Sequence, residues 1–495
     1  MVKRNRRRRR LEVSADGRGV VGHAGSRLLS DLADQLGLTE GLSVAMAPTK
    51  QRRRGHDRGQ VLTDLAVMIA GGGTGISDLA VLRDQPNLFG EVASTPTAWR
   101  TLEAVDTAAL ERIAVARAAT RRRVWAAGAD PKFYVIDFDA TLITAHSDKT
   151  GAAPNYKKRF GFHPLLAFLD ATGEALAGLL RPGNAGSNTA ADHITVLDAA
   201  LAQLPVDPTH VEVIARADSA GLTHGFIDAC VAANVNFTVG HDLTEPVRNA
   251  CLAIPARAWK PAITADGSDY RDEAWIAEIT NSIDLSRWPT GSRMIVRREI
   301  PHPDAQLSFT DIDGHRYQAF ITDQTDPDIA YLEALQRGRG RAEKLIFNLK
   351  DTGCTNLPSA DFEINQAWLT TTLIALDLLV WCQHVCLEGD LARAEPKRLR
   401  YTLLHTAGVV ARTGRRTRLR LALGQPARHS IRPLPPTQTR HLTNRREDPG
   451  AHAHQAGPTQ PRTSHYLDAP QPTRTERAGS TQPANPPTPP QRRRY

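Results

Sequence analysis

The run Tyr134-Val135-Ile136-Asp137-Phe138-Asp139-Ala140-Thr141-Leu142 decides the fold. Its β-branched and aromatic residues predict a strand. Side chains alternate along a strand, so Val135, Asp137, Asp139 and Thr141 share one face and Ile136 and Phe138 take the other. An ionised carboxylate buried without a partner is costly, and two on one face are worse. A face that opens onto a cation removes that cost. The run therefore reads as the first arm of an acidic, metal-holding site, with Asp139 as the ligand and Asp137 as its substitute.

Working outward, residues 165–169 and 175–180 are apolar runs flanking Asp170-Ala171-Thr172-Gly173, a hairpin turn by composition. A helix follows from Asn188 or Thr189, carrying Ile194, Leu197 and Leu201. The next strand, 211–214, runs into Asp218; a helix over 226–233 and a strand over 236–239 complete the series. The order β-β-β-α-β-α-β predicts an α/β fold with a mixed sheet flanked by helices. Residues 246–328 then turn β-rich, with strands at 275–279, 292–300 and 307–322, the last broken by Asp313-Gly314. This stretch reads as an insertion between two halves of one domain, 129–245 and 329–412. In the second half a helix runs from Asp326-Pro327 to Lys350, with Gly338 and Gly340 marking a break. The apolar stretch 368–385 is interrupted by Asp377, Gln383 and His384, so it predicts a buried helix rather than a membrane span.

Ahead of the strand, residues 27–128 are helical in pattern: Leu28, Leu29, Leu32 and Leu36 make one stripe, and Val61, Leu62, Leu65 and Ile69 repeat it. Thr95-Pro96 predicts a helix start whose first turn is polar, the arrangement of a helix-turn-helix reader with Arg100 facing DNA. The chain ends are different. Residues 1–26 form a basic arm, and 413–495 a Pro/Arg-rich tail; 14 of the 32 prolines fall after residue 424. Both are expected to be disordered, because they hold too little apolar surface to offset the entropy of ordering. The net charge of +9 over 495 residues points to a polyanionic partner. Five scattered cysteines without a Cys-x-x-Cys argue against a disulfide framework or zinc ribbon, and fit the cytoplasm. The histidines show no ligand spacing.

Magnesium takes oxygen ligands and keeps several waters, so a few convergent carboxylates hold it. Two such ions roughly 3.5–4 Å apart clamp the attacking and leaving oxygens of a phosphodiester. The candidates are Asp139, Asp218 and Glu343. Asp218 stands where a strand gives way to a loop. Glu343 shares a helix face with Arg339 and Lys350, whose cations suit the phosphates of a DNA end.

Asp139-Ala140-Thr141 resembles the Asp-x-Thr of bacterial insertion-sequence transposases of the DDE class. Arg339-x-x-x-Glu343 with Lys350 is similar to their Tyr-x-x-Arg-x-x-x-Glu-x-x-x-x-x-x-Lys signature, with Gln336 in the tyrosine's place. The resemblance spans roughly residues 27–412. It implies a ribonuclease-H-like catalytic domain in which Asp139, Asp218 and Glu343 bind two Mg²⁺ ions (Mn²⁺ as alternative), while Arg339 and Lys350 hold the backbone of double-stranded DNA. It also implies cleavage of an element's ends, transfer of the freed 3′-hydroxyl to target DNA, and a homodimer working on nucleoid DNA. A plain metal-dependent nuclease and a DNA-binding factor without catalysis are the competing expectations.

Overall fold

The computed structural model describes residues 19–50, 55–302, 304–306, 311–414, 416–424 and 430–433. The opening run forms β1 (Tyr134–Ala140), followed by β2 (Leu165–Leu169) and β3 (Ala175–Leu179) in an antiparallel meander. The turn between β2 and β3 uses Gly173 at φ 76°, a conformation glycine adopts without strain. Strands β4 (Val213–Ala217) and β5 (Asn236–His241) lie parallel on the other side of β1.

The β-rich stretch contributes β6 (Lys260–Ile263), β7 (Tyr270–Glu278), β8 (Arg293–Glu299) and β9 (His315–Thr322). These strands do not form a layer of their own. β9 pairs antiparallel with β5, so the sheet runs β6-β7-β8-β9-β5-β4-β1-β2-β3, and the short Asp311–Ile312 strand brings it to ten. The edge that β5 would otherwise expose is thereby covered. Asp313 and Gly314 both have positive φ, 48° and 75°, as a two-residue hairpin turn requires.

Among the described residues the sheet is accompanied by the helices α1 (Arg27–Gln35), α2 (Leu38–Met46), α3 (Arg58–Ala70), α4 (Thr95–Glu103), α5 (Thr107–Val124), α6 (Ala190–Leu201), α7 (His224–Ala232), α8 (Ile329–Arg337), α9 (Gly340–Leu349) and α10 (Phe362–Cys386), with a further helix, Glu245–Ala253, between β5 and β6. Ser94, one residue earlier than expected, is the N-cap of α4. The break foreseen at Gly338 and Gly340 separates α8 from α9. α10 is long and apolar enough to cross a membrane, yet it lies inside the protein, with 83% of its most apolar window buried. The helices α1, α3, α4 and α5 pack on α10, and α10 packs on β3.

A buried ionic cluster ties these layers together. Arg121 of α5 donates to Glu174 (2.9 Å), Asp377 of α10 (2.9 Å) and Gln203 (2.7 Å), and Arg117 donates to Asp377 (2.8 Å). Trp125 and Trp381 donate their indole N–H groups to Glu174. Every oxygen of the two acids thus meets a donor, which is the condition for tolerating them in a core.

Two stretches expected to be disordered belong to the fold. Val20–Val21 pairs with Gly408–Thr413, and that strand pairs with Arg416–Leu421, giving a three-stranded sheet between the expected arm and tail. The reason is alternation: Leu419 and Leu421 are half-buried while Arg418 and Arg420 face solvent, a strand pattern the arginine content conceals. The rest of the arm (1–18) and most of the tail (425–429 and 434–495) lie outside the described residues.

Candidate active site

β1 and β4 run side by side in a register that sets Asp137 opposite Arg216. Both are fully buried. Arg216 donates from Nε to Asp137 Oδ1 (2.6 Å) and from Nη2 to Oδ2 (2.8 Å), while Nη1 donates to the Leu335 carbonyl (2.6 Å). Asp137 is therefore not the substitute metal ligand expected from the sequence. Its cation is a side chain of the next strand, and burial, which pushes its pKa up, is opposed mainly by that guanidinium.

The chain of charges continues. Arg216 Nη2 is 3.1 Å from Asp170, whose two oxygens accept from Arg341 on α9 at 2.7 and 2.6 Å. Asp170, which the sequence marks as a turn residue, is thus the link that pins the first turn of α9 to the sheet. That turn carries Glu343, and Arg339 stands just ahead of it.

Asp139, one step further along the same face of β1, keeps 14% of its side chain exposed and meets Arg339 Nη1 at 3.3 Å. Burial pushes its pKa up to about 6; Arg339 opposes the shift, and the charges of Asp218 and Glu343 add to it. Two of the acids named from the sequence thus lie near enough for their charges to act on the third. Asp218 closes the end of β4, with Oδ1 accepting from the Ala220 N–H (3.0 Å). Gly240 of β5 packs directly on it: a Cβ there would stand 2.9 Å from Ser219 N and 3.2 Å from the Asp218 carbonyl carbon. Gln336 secures the same corner, donating to the Ala217 carbonyl (3.1 Å) and accepting from Thr238 (2.9 Å).

Glu343 is the loosest of the three, 74% exposed and 3.9 Å from Arg339. Among the described residues no three His, Cys, Asp or Glu side chains close into a metal cage. The donor chemistry nevertheless fits a hard divalent cation. All three groups are carboxylates, burial drives Asp139 toward protonation more than Arg339 can offset, and Glu343 projects from α9, largely exposed.

Lys350, half-buried at the end of α9, feels Lys157 and Arg159 as well as Asp139. Its pKa is lowered first by burial, then by those two cations, with Cys354 and Asp139 opposing. A cavity of about 470 Å³ opens beside Asp218, lined also by Arg297, Glu333, Gln336, Arg337 and Arg339. Arg100 does not join this group. It is exposed on α4, 3.3 Å from Thr97 Oγ1, and α4 packs on α3 and α10 rather than on the elements carrying the acids.

Residues 3–438 match the family described as transposase DDE domain group 1. The chain belongs to that transposase family. No curated protein matches it. Among solved structures, the cryo-EM structure of a piggyBac transposase synaptic complex with hairpin DNA is similar at 8% identity, over 77% of this chain and 79% of that one, with a TM-score of 0.38.

Four positioning residues of this DDE transposase chain escaped the sequence: Arg216, Asp170, Arg341 and Gln336. One signal was available for Arg216. It sits in an otherwise apolar strand, two positions before Asp218, and an arginine in a core demands a buried acid. Nothing local marks the other three.

Proposed function

We propose that this chain is a DNA transposase whose catalytic domain is ribonuclease-H-like, cutting the ends of an insertion sequence and joining the freed 3′-hydroxyl to target DNA. The observation that carries the proposal is placement. Asp139 stands on a central strand, Asp218 at the end of its parallel neighbour, and Glu343 on a helix whose first turn is pinned to that sheet. Asp218 and Glu343 are both close enough for their charges to act on Asp139. Three antiparallel strands followed by two parallel ones, in the order β3-β2-β1-β4-β5, support the ribonuclease-H-like assignment.

Asp139, Asp218 and Glu343 would hold the metal, as two Mg²⁺ ions with Mn²⁺ as a substitute. When bound, a divalent metal supplies Lewis-acid charge at the phosphoryl oxygens and lowers the pKa of water. The protein's own part is positioning and neutralisation. Asp137, Arg216, Asp170 and Arg341 hold β1, β4 and α9 in fixed relation. Arg339, now on Asp139, would be released for a DNA phosphate were that carboxylate engaged as a metal ligand. Lys350 adds a second cation on the same side. With the carboxylates engaged as ligands, no side chain of the cluster is left to attack phosphorus, and both displacements are direct: water displaces a 3′-hydroxyl, and that hydroxyl attacks a target phosphodiester and displaces the target's own 3′-oxygen. Cutting two ends together calls for two copies on DNA, acting on the nucleoid in the cytoplasm.

The test is Mg²⁺-dependent cleavage and joining of DNA carrying the element's ends. Asp139→Ala, Asp218→Ala and Glu343→Ala are each expected to lose at least about 100-fold in rate. Wild-type protein that binds this DNA without cutting it would leave only a DNA-binding protein, and cleavage without joining would leave a plain nuclease. Undiminished cleavage by Glu343→Ala would remove Glu343 from the site.

A further inference from the structure

Just beyond β1, Ile143–Thr144, Ala153–Pro154 and Phe160–Phe162 form a small three-stranded sheet. Asn155-Tyr156-Lys157-Lys158-Arg159 is the tip of its second hairpin. The tip is a built turn. Asn155 is buried, and its Oδ1 accepts from the N–H groups of Lys157 (3.0 Å) and Arg159 (3.1 Å), while Lys158 takes a left-handed φ of 57°. The base is clamped too: a Cβ on Gly161 would lie 1.9 Å from the Ile143 carbonyl oxygen, and one on Gly183 2.2 Å from those of Ala153 and Gly161.

This rigid tip presents four successive exposed side chains, Tyr156 (71% exposed), Lys157, Lys158 and Arg159. Among the described residues none of the three cations is paired with a carboxylate, and the Lys157 ammonium rests 5.6 Å from the Tyr156 ring. A solvated surface is the common meaning of such a run. Its place in the fold argues otherwise. The small sheet's first strand begins at Ile143, three residues beyond the end of β1 that carries Asp139, and the charges of Lys157, Arg159 and Asp139 all reach the Lys350 ammonium. Like charges are thus gathered at the mouth of the acid cluster, against their own repulsion, and a polyanion is what would neutralise them.

We propose that this hairpin tip grips the DNA strand next to the bond being cut, Lys157, Lys158 and Arg159 on its phosphates and the Tyr156 ring stacked on an unpaired base. The role rests on the DNA-cutting function proposed for the acids. It is tested with the full chain in EDTA, measuring affinity from about 50 to 200 mM salt for a fully paired duplex and for the same duplex with a single-stranded 3′ overhang. Lys158→Asn removes one charge while asparagine tolerates the left-handed backbone, so the turn survives. The slope of log affinity against log salt should fall by about one unit for Lys158→Asn and by about three for the triple alanine variant of Lys157, Lys158 and Arg159. Tyr156→Ala should lose roughly tenfold on the overhang probe and little on the paired duplex. Wild-type protein without salt-sensitive DNA binding overturns the transposase function itself. Wild-type binding with unchanged slopes in both charge variants overturns only the hairpin's role, and equal effects of Tyr156→Ala on the two probes overturn the stacking.

Discussion

Asp137 and Asp139 are two residues apart on one face of one strand, and their surroundings give them opposite duties. Asp137 is sealed against Arg216, so Asp137→Ala strips a buried guanidinium of its two-bond partner and leaves it to share Asp170 with Arg341. Thermal or urea unfolding should register a loss of about 3–5 kcal/mol. Asp139 has the reverse energetics. Its folded-state pKa is raised from 3.8 to about 6, so its protonated form is the one the fold favours. Stability from this group is present below 3.8 and is lost as pH rises to about 6, after which it stays lost. Metal-free melting followed from pH 4 to 7 should decline more steeply in the wild type than in Asp139→Asn, which melts higher at pH 7; the remaining decline belongs to other buried acids such as Asp64 and Asp137. Cleavage follows the opposite course, rising through pH 6 as the carboxylate ionises, with the midpoint moving down as Mg²⁺ increases. That both aspartates share a face was legible from alternation alone. Which one would be sealed in the core by a cation of its own was not, because Arg216 reaches Asp137 only through the β1–β4 register.

The elements that carry the acids are held by contacts invisible in their own segments. β4 ends where Gly240 of β5 lies against the Asp218 backbone, so Gly240→Ala must push either the strand or the loop. Overpacking of this kind costs about 1–3 kcal/mol, and here the loop is the softer side. Circular dichroism should stay close to wild type while metal-dependent cleavage falls toward that of Asp218→Ala; wild-type cleavage would mean the loop accommodates the methyl group. The order of strands and helices was readable because turn residues such as Asp170–Gly173 and Asp313-Gly314 punctuate apolar runs. The sheet's continuity was hidden, since β5 meets β9 through pairs such as Val239 with Ile321. The strand Arg416–Leu421 was hidden differently, its leucines outnumbered by the arginines between them.

At the scale of the whole molecule, the N-terminal helices are fastened to the catalytic sheet by charge as well as by packing. Arg117 and Arg121 of α5 supply the counter-charge for Glu174, next to β3, and for Asp377, in the middle of α10. In the sequence Arg121 begins an Arg-Arg-Arg run that reads as a boundary between regions, and its partners lie 53 and 256 residues away. No local pattern reveals such a pairing. The consequence is that the helical region cannot be cut away as an independent DNA-reading module. Without α5, two acids would stay buried beside tryptophans with no cation, a state several kcal/mol less stable. Asp377→Ala is the milder version of that experiment, taking from Arg117 its carboxylate and leaving Arg121 with Glu174 alone while the chain stays whole. It should cost about 3–5 kcal/mol and lower one shared transition, followed by far-UV circular dichroism and by tryptophan fluorescence together. Two separated transitions in either protein would mean that the helices and the sheet fold independently and that the ionic cluster does not couple them.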